Sequence, residues 1–173
     1  MKLNRKKFFL SLGGLGLVAA TGCQTGPWTE DETAKLVITL EQAGLVLVLA
    51  LGKKLENRKY LELAASSLET IVADGKLDPS DAVSIILANV NNTEVALGVT
   101  TALAIYRIWW NDNPASTTKG VEFIAALARG LRSGLSSTTA KSFAKTTTKL
   151  VVPSFKSKSL DNAVKDFFKR YDQ

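Results

Sequence analysis

Apolar residues along this chain recur at spacings of three and four, and no segment sustains strict alternation, so the pattern predicts helices and no sheet. Thr29-Glu30-Asp31-Glu32 has the form of a capping box, with Glu32 placed to reach back to the Thr29 amide. The helix it opens is expected to run to about Leu51 and stop at Gly52, with Lys53 and Lys54 beside its carbonyl end. Residues 43–51 are apolar on every side, the pattern of a helix surrounded by others, which makes this the expected central helix.

In residues 58–73, Leu61, Ala64, Ala65, Leu68, Ile71 and Val72 share one face, and Asp74-Gly75 ends the run. Asp78-Pro79-Ser80-Asp81 supplies a cap, a first-turn proline and an acidic residue for a third helix with Ala82, Ile85 and Ile86 inward, stopping near Asn91. A second start signal at residues 91–94 opens an apolar helix over 95–110, closed by Asn111-Asp112-Asn113-Pro114. Residues 120–135 are amphipathic through Ile124, Leu127, Ala128, Leu131 and Leu135. The Ser, Thr and Lys-rich stretch 136–159 contains Thr146-Thr147-Thr148 and Pro153, which oppose a continuous helix but leave room for a short one over 138–149. Last, Ser159 is expected to cap a helix that aligns Leu160, Ala163, Val164, Phe167, Phe168 and Tyr171. The fold class expected is all-α, a compact bundle of about six helices.

The start of the chain follows another logic. Lys2, Arg5, Lys6 and Lys7 precede an apolar run over residues 8–20, and no acidic residue occurs before Glu30. A cationic end followed by an apolar run too short to span a bilayer is the pattern of a signal peptide. It closes on Ala20-Thr21-Gly22-Cys23, which resembles the lipobox of bacterial lipoproteins, although Ala20 stands where that family more often has Leu. The resemblance covers residues 1–23 and implies cleavage between Gly22 and Cys23 with lipid on the Cys23 sulfur. It also implies that Gln24, standing where an inner-membrane retention signal usually has Asp, sends the protein to the periplasmic face of the outer membrane in a two-membrane bacterium. Cys23 is the only cysteine, and lipidation accounts for an unpaired thiol in an exported chain. The expected organisation is therefore a leader over 1–22, a tether over 23–29 and a single helical domain over 30–173.

Composition changes once the leader is set aside. Removing the first 22 of 173 residues leaves 151, enough for one core, and the 22 basic residues fall to 18 against 16 acidic, so a formal charge of +6 becomes +2. The high isoelectric point is thus partly a property of the leader, and nucleic acid is not expected as a partner. Residues 24–118 carry a net −5 and residues 119–173 a net +7. Either the halves attract each other across the fold, or the basic half faces anionic lipid, lipopolysaccharide or another polyanion.

The sequence holds no histidine, which removes the commonest general base and most zinc sites, so no metal is expected. With Cys23 acylated no thiol remains for redox work, and the only group expected on the protein is that covalent lipid; no cofactor is implied. Ser142-Phe143-Ala144-Lys145 has the Ser-x-x-Lys spacing of penicillin-binding proteins without their companion motifs. Asp74, Asp78 and Asp81 lack the spacing of a calcium loop and suit a turn and a cap. No pair of carboxylates is singled out for glycoside cleavage, and a catalytic role is not expected.

Lys141, Lys145 and Lys149 would form a basic stripe if helical, continued by Lys156 and Lys158, and are candidates for contact with an anionic surface. Trp109 and Trp110, one turn after Tyr106, read as a core plug with one ring at the surface, or as a contact for a protein partner. The apolar runs 36–51 and 95–110 are each 16 residues, short of the roughly 20 needed to cross a bilayer. These readings converge on a lipid-anchored, non-enzymatic binding or scaffold module of the cell envelope, whose partners are membrane lipid and an envelope protein or anionic polymer. A membrane-active or phage- or immunity-type lipoprotein is the alternative, and a small carboxylate-dependent hydrolase a third.

Overall fold

The computed structural model describes residues 28–113, 116–136 and 152–171. Among these residues there are six helices and no strand: α1 (Glu30–Leu51), α2 (Leu55–Ala73), α3 (Pro79–Asn89), α4 (Thr93–Asp112), α5 (Thr117–Ser136) and α6 (Lys158–Tyr171). The fold is all-α, a helical bundle.

Helix α1 is the hub: it packs most extensively on α5 and also meets α4, α6 and α2. Its inward residues Leu36, Leu40, Ala43, Leu47 and Leu51 are buried. Thr29 caps it by accepting the Glu32 amide at 3.2 Å, but the expected return bond from the Thr29 amide to the Glu32 side chain does not occur among the described residues. The Glu32 side chain is buried with the Lys35 ammonium 3.7 Å away, while Lys35 itself sits 2.6 Å from Asp31.

Close crossing of α1 and α5 depends on missing side chains. A Cβ on Gly44 would lie 2.5 Å from the Leu127 carbonyl oxygen, one on Gly130 would run into the Glu41 carbonyl oxygen, and one on Gly134 would press on Val48 at 2.7 Å. Backbone therefore meets backbone along this seam, and the two helices leave little depth between them.

The structure moves several helix ends. Helix α2 begins at Leu55 rather than residue 58, because Asn57 is buried and ties the new turn down: its amide nitrogen donates to the Leu51 carbonyl and to Glu94, each at 3.1 Å, and its oxygen accepts from Asn92. Helix α3 stops at Asn89, two residues early, since Asn92 is taken as the cap of α4, accepting the Val95 amide at 3.0 Å. Helix α5 starts at Thr117, and α4 runs on to Asp112. Helix α6 begins at Lys158, so Ser159 stands in the first turn instead of before it. The Asp161 carboxylate of that turn reaches back to the segment before the helix, accepting from the Phe155 N–H at 3.1 Å.

The length argument against membrane insertion also changes for α1. At 22 residues it is long and apolar enough to cross a membrane, a test that buried core helices also pass, and half of its most apolar window is buried inside the bundle. The short helix expected over 138–149 lies outside the described residues.

The molecule has two distinct poles. At one, Trp28, Leu77, Asp78, Trp110, Asp112 and Gly120 come together: the Trp28 indole N–H donates to Asp112 at 2.8 Å and the Tyr106 hydroxyl to the Leu77 carbonyl at 2.7 Å. At the other, Lys54 pairs with Glu94 at 3.0 Å and Arg58 donates to the Leu135 carbonyl at 2.9 Å. Helices of about 20 residues set these poles about 30 Å apart.

Candidate functional site: the outer groove of α1

Helix α1 carries more apolar residues than the bundle covers. Ile38 and Leu49 face outward, 54% and 37% exposed, and Leu45 lies half-buried between them. Ile38 and Leu45 of this strip line two adjoining clefts. One, of about 560 Å3, is formed by Trp28, Thr33, Val37 and Ile38 with Lys119 and Glu122 of α5 opposite. The next, of about 320 Å3, is lined by Ile38, Glu41, Gln42, Leu45, Gly130 and Ser133. Ile38 belongs to both, so they form one shallow groove along α1. The Gln42 side-chain oxygen is buried with no hydrogen-bond partner among the described residues, an uncompensated polar atom on the groove wall.

Charged pairs close the groove on the α2 side. Arg129 approaches Glu41 at 3.4 Å, and beyond it a hollow of about 360 Å3 holds Glu69 and Arg132. Arg132 grips Glu69 through two N–H groups at 2.9 and 2.8 Å, and also donates to the Ser66 hydroxyl. That hydrogen bond holds the Glu69 carboxyl below the usual carboxylate range and raises the guanidinium. Glu41 and Glu69 are the carboxylates that share this hollow, and a general acid for glycoside cleavage needs its pKa raised. The shift on Glu69 has the opposite sign. Both ion pairs join a base of the positive half to an acid of the negative half, so part of the charge asymmetry is met inside the fold.

The residues singled out in the sequence are scattered. Gly22 and Cys23 lie outside the described residues, as do Lys141, Lys145, Lys149 and the Ser142 to Lys145 spacing. Lys156 and Lys158 are exposed at the start of α6. Trp109 is 2% exposed, packed edge-on against Phe123 at 4.6 Å and stacked on Tyr106 at 6.2 Å, which makes it core. Trp110 is half-buried, on the rim of a small hollow with Asp78, Pro79 and Arg107. Burial, with the Asp78 charge second, pushes the Tyr106 phenol well above its usual pKa. Asp78 caps α3 through the Ser80 amide at 2.7 Å and Asp74 pairs with Lys76 at 3.5 Å, the turn-and-cap roles expected of them. No group of three metal-ligating side chains occurs among the described residues.

Sequence reading missed the groove itself. Ile38, Leu45 and Leu49 recur at helical spacing, yet with residues 43–51 apolar on every side that stripe does not stand out from the buried one. Trp28 was assigned to the tether; in the structure it belongs to the body, edge-on to Trp109 at 6.5 Å.

The architecture defines an all-α bundle with an apolar surface groove. Among known protein families, curated proteins and solved structures, none matches the chain.

Proposed function

We propose that this protein is a lipid-anchored envelope lipoprotein whose helical body is a non-enzymatic binding module, and that its partner seats on the outer groove of α1. The observation that carries the reading is the exposure of Ile38 beside the half-buried Leu45 and the partnerless Gln42 oxygen, an apolar strip with a polar anchor point inside it. Apolar surface rimmed by ion pairs such as Glu41 with Arg129 is the arrangement by which proteins meet other proteins. The leader, the lipobox-like residues and Cys23 support the address; Lys156 and Lys158 at the start of α6 remain available to an anionic surface or polymer.

A photo-crosslinking side chain at Ile38 in the full chain, expressed in cells, tests this. It should yield one discrete adduct that the same label at Leu87, equally exposed on α3, does not give. Equal or absent adducts at both sites would remove the groove as a binding surface.

A second reading, a membrane-active lipoprotein, is supported by the length and apolarity of α1. It predicts leakage of dye from anionic vesicles; intact vesicles across a range of anionic lipid content would dismiss it.

A further inference from the structure

Trp28 pins the place where the chain enters the bundle. Its indole N–H donates to Asp112 at the end of α4, 84 residues away in sequence, and its ring packs edge-on against buried Trp109. A half-buried aromatic held by both a hydrogen bond and a ring contact fixes the start of α1 to one pole of the bundle.

Only Gln24, Thr25, Gly26 and Pro27 separate Cys23 from Trp28. Whatever their conformation, bond geometry limits the distance from the Cys23 to the Trp28 backbone to about 18 Å. The opposite pole, with Lys53, Lys54 and Leu55, lies about 30 Å further along the helices.

We infer that the Trp28 to Asp112 clamp orients the body on its membrane: the pole carrying Trp28, Asp78 and Asp112 stands next to the lipid headgroups, and the pole of Lys53, Lys54 and the 85% exposed Leu55 is held away from them. This rests on the lipidation of Cys23 proposed above. The surface presented to the bilayer is of mixed charge: Glu30, Asp31, Asp78 and Asp112 are exposed there, but Lys35 pairs with Asp31, Arg107 stands beside Asp78 and Lys119 faces Glu30, so the face fits a headgroup layer without requiring an anionic one. The far pole carries Lys53 beside the Lys54 to Glu94 pair, and at about 30 Å any attraction of it to anionic lipid is screened several times over at physiological salt, where the Debye length is about 8 Å. With α1 upright, its outer groove faces sideways, open to a partner anchored in the same membrane.

Lipidation of the natural cysteine leaves an introduced one as the only free thiol. Asn111→Cys at the clamp pole and Glu56→Cys at the far pole, both exposed sites, would be labelled with a donor dye in the full lipidated protein. The protein would be placed in vesicles of phosphatidylethanolamine and phosphatidylglycerol bearing headgroup acceptors. Energy transfer should be several-fold stronger from position 111 than from 56, and Trp28→Ala should narrow the difference without abolishing it, since buried Leu36 and Leu40 still hold the start of α1 at this pole. Equal transfer in the unaltered background would overturn the orientation, and a difference that Trp28→Ala leaves unchanged would overturn the clamp. Intact mass separates these outcomes from failure of the underlying reading: a thiol without diacylglyceryl, on protein that does not float with vesicles, removes the lipid anchor and this inference with it.

Discussion

A single methyl group has different consequences at two glycines of this fold. At Gly130 it would be driven into the Glu41 carbonyl oxygen, backbone against backbone, with the Gly44 Cα 3.1 Å away. Neither helix can yield without opening the seam that organises the bundle. Gly130→Ala should therefore lower stability by about 3 kcal/mol, the upper part of the usual range for overpacked cores. Gly75 has open space around it, but its φ of +67° is the left-handed conformation. It closes α2 with its own N–H on the Val72 carbonyl and the Lys76 N–H on the Ile71 carbonyl. There alanine meets only backbone strain, about 1 kcal/mol. Urea unfolding midpoints of the two variants should rank in that order, and a Gly75→Ala loss equal to the Gly130→Ala loss would show that the seam is softer than its geometry.

At the scale of the element, α6 depends on one carboxylate. Asp161 accepts from the Lys165 ammonium at 2.6 Å, from the Phe155 backbone N–H and from the Ser154 hydroxyl, and these partners, the ammonium first, hold its pKa below the ordinary value. A carboxyl whose pKa is lowered by folding adds stability that is fully present above the ordinary carboxylate range and is lost as pH falls through the lowered, folded value. Asp161→Asn should thus be less stable than the parent at neutral pH, with the two urea midpoints converging in acid. Curves that stay parallel to low pH would show that the carboxylate contributes through shape alone. Glu69 and Glu94, lowered by Arg132 and by Lys54 with Asn57, act in the same direction and add to the acid limb. Asp161 also shows where sequence reading reached its limit. The apolar stripe of α6 fixed its buried face, with Leu160, Val164, Phe167 and Phe168 all inside, because a periodicity of 3.6 is a property of the element alone. Its start at Lys158 puts Ser159 inside the first turn, and Asp161 reaches back to the Phe155 amide upstream of the helix, a contact settled by tertiary geometry. The same holds at Asn57, where a polar residue outside the apolar stripe proved to be the buried joint between two helix ends and Glu94. The groove was illegible for the opposite reason: residues 43–51 of α1 are apolar on every side, so the sequence could not say which side the other helices would leave bare.

Across the whole molecule, location and fold separate cleanly. The described residues bury one continuous cluster that runs from Leu36 in α1 to Phe168 in α6, and the indole of Trp28 packs against it from outside. That cluster holds the described helices together by itself, whereas attachment through two or more acyl chains would give a stable membrane anchor, at about 0.8 kcal/mol per buried methylene. The body starting at residue 24, exported behind a conventional cleavable leader, should then keep the helical circular dichroism and urea midpoint of the lipidated chain while moving from the membrane pellet to the soluble fraction. The bare half of α1 gives this experiment its force. If Ile38, Leu45 and Leu49 do not enter the bilayer, the unlipidated body has little to hold it to lipid itself, since 18 basic residues against 16 acidic give little net attraction to a headgroup surface. If α1 itself enters the bilayer, the body stays in the pellet through salt and is released only by detergent, and Ile38→Asp, which places a charge on the exposed strip without touching the core, should free it.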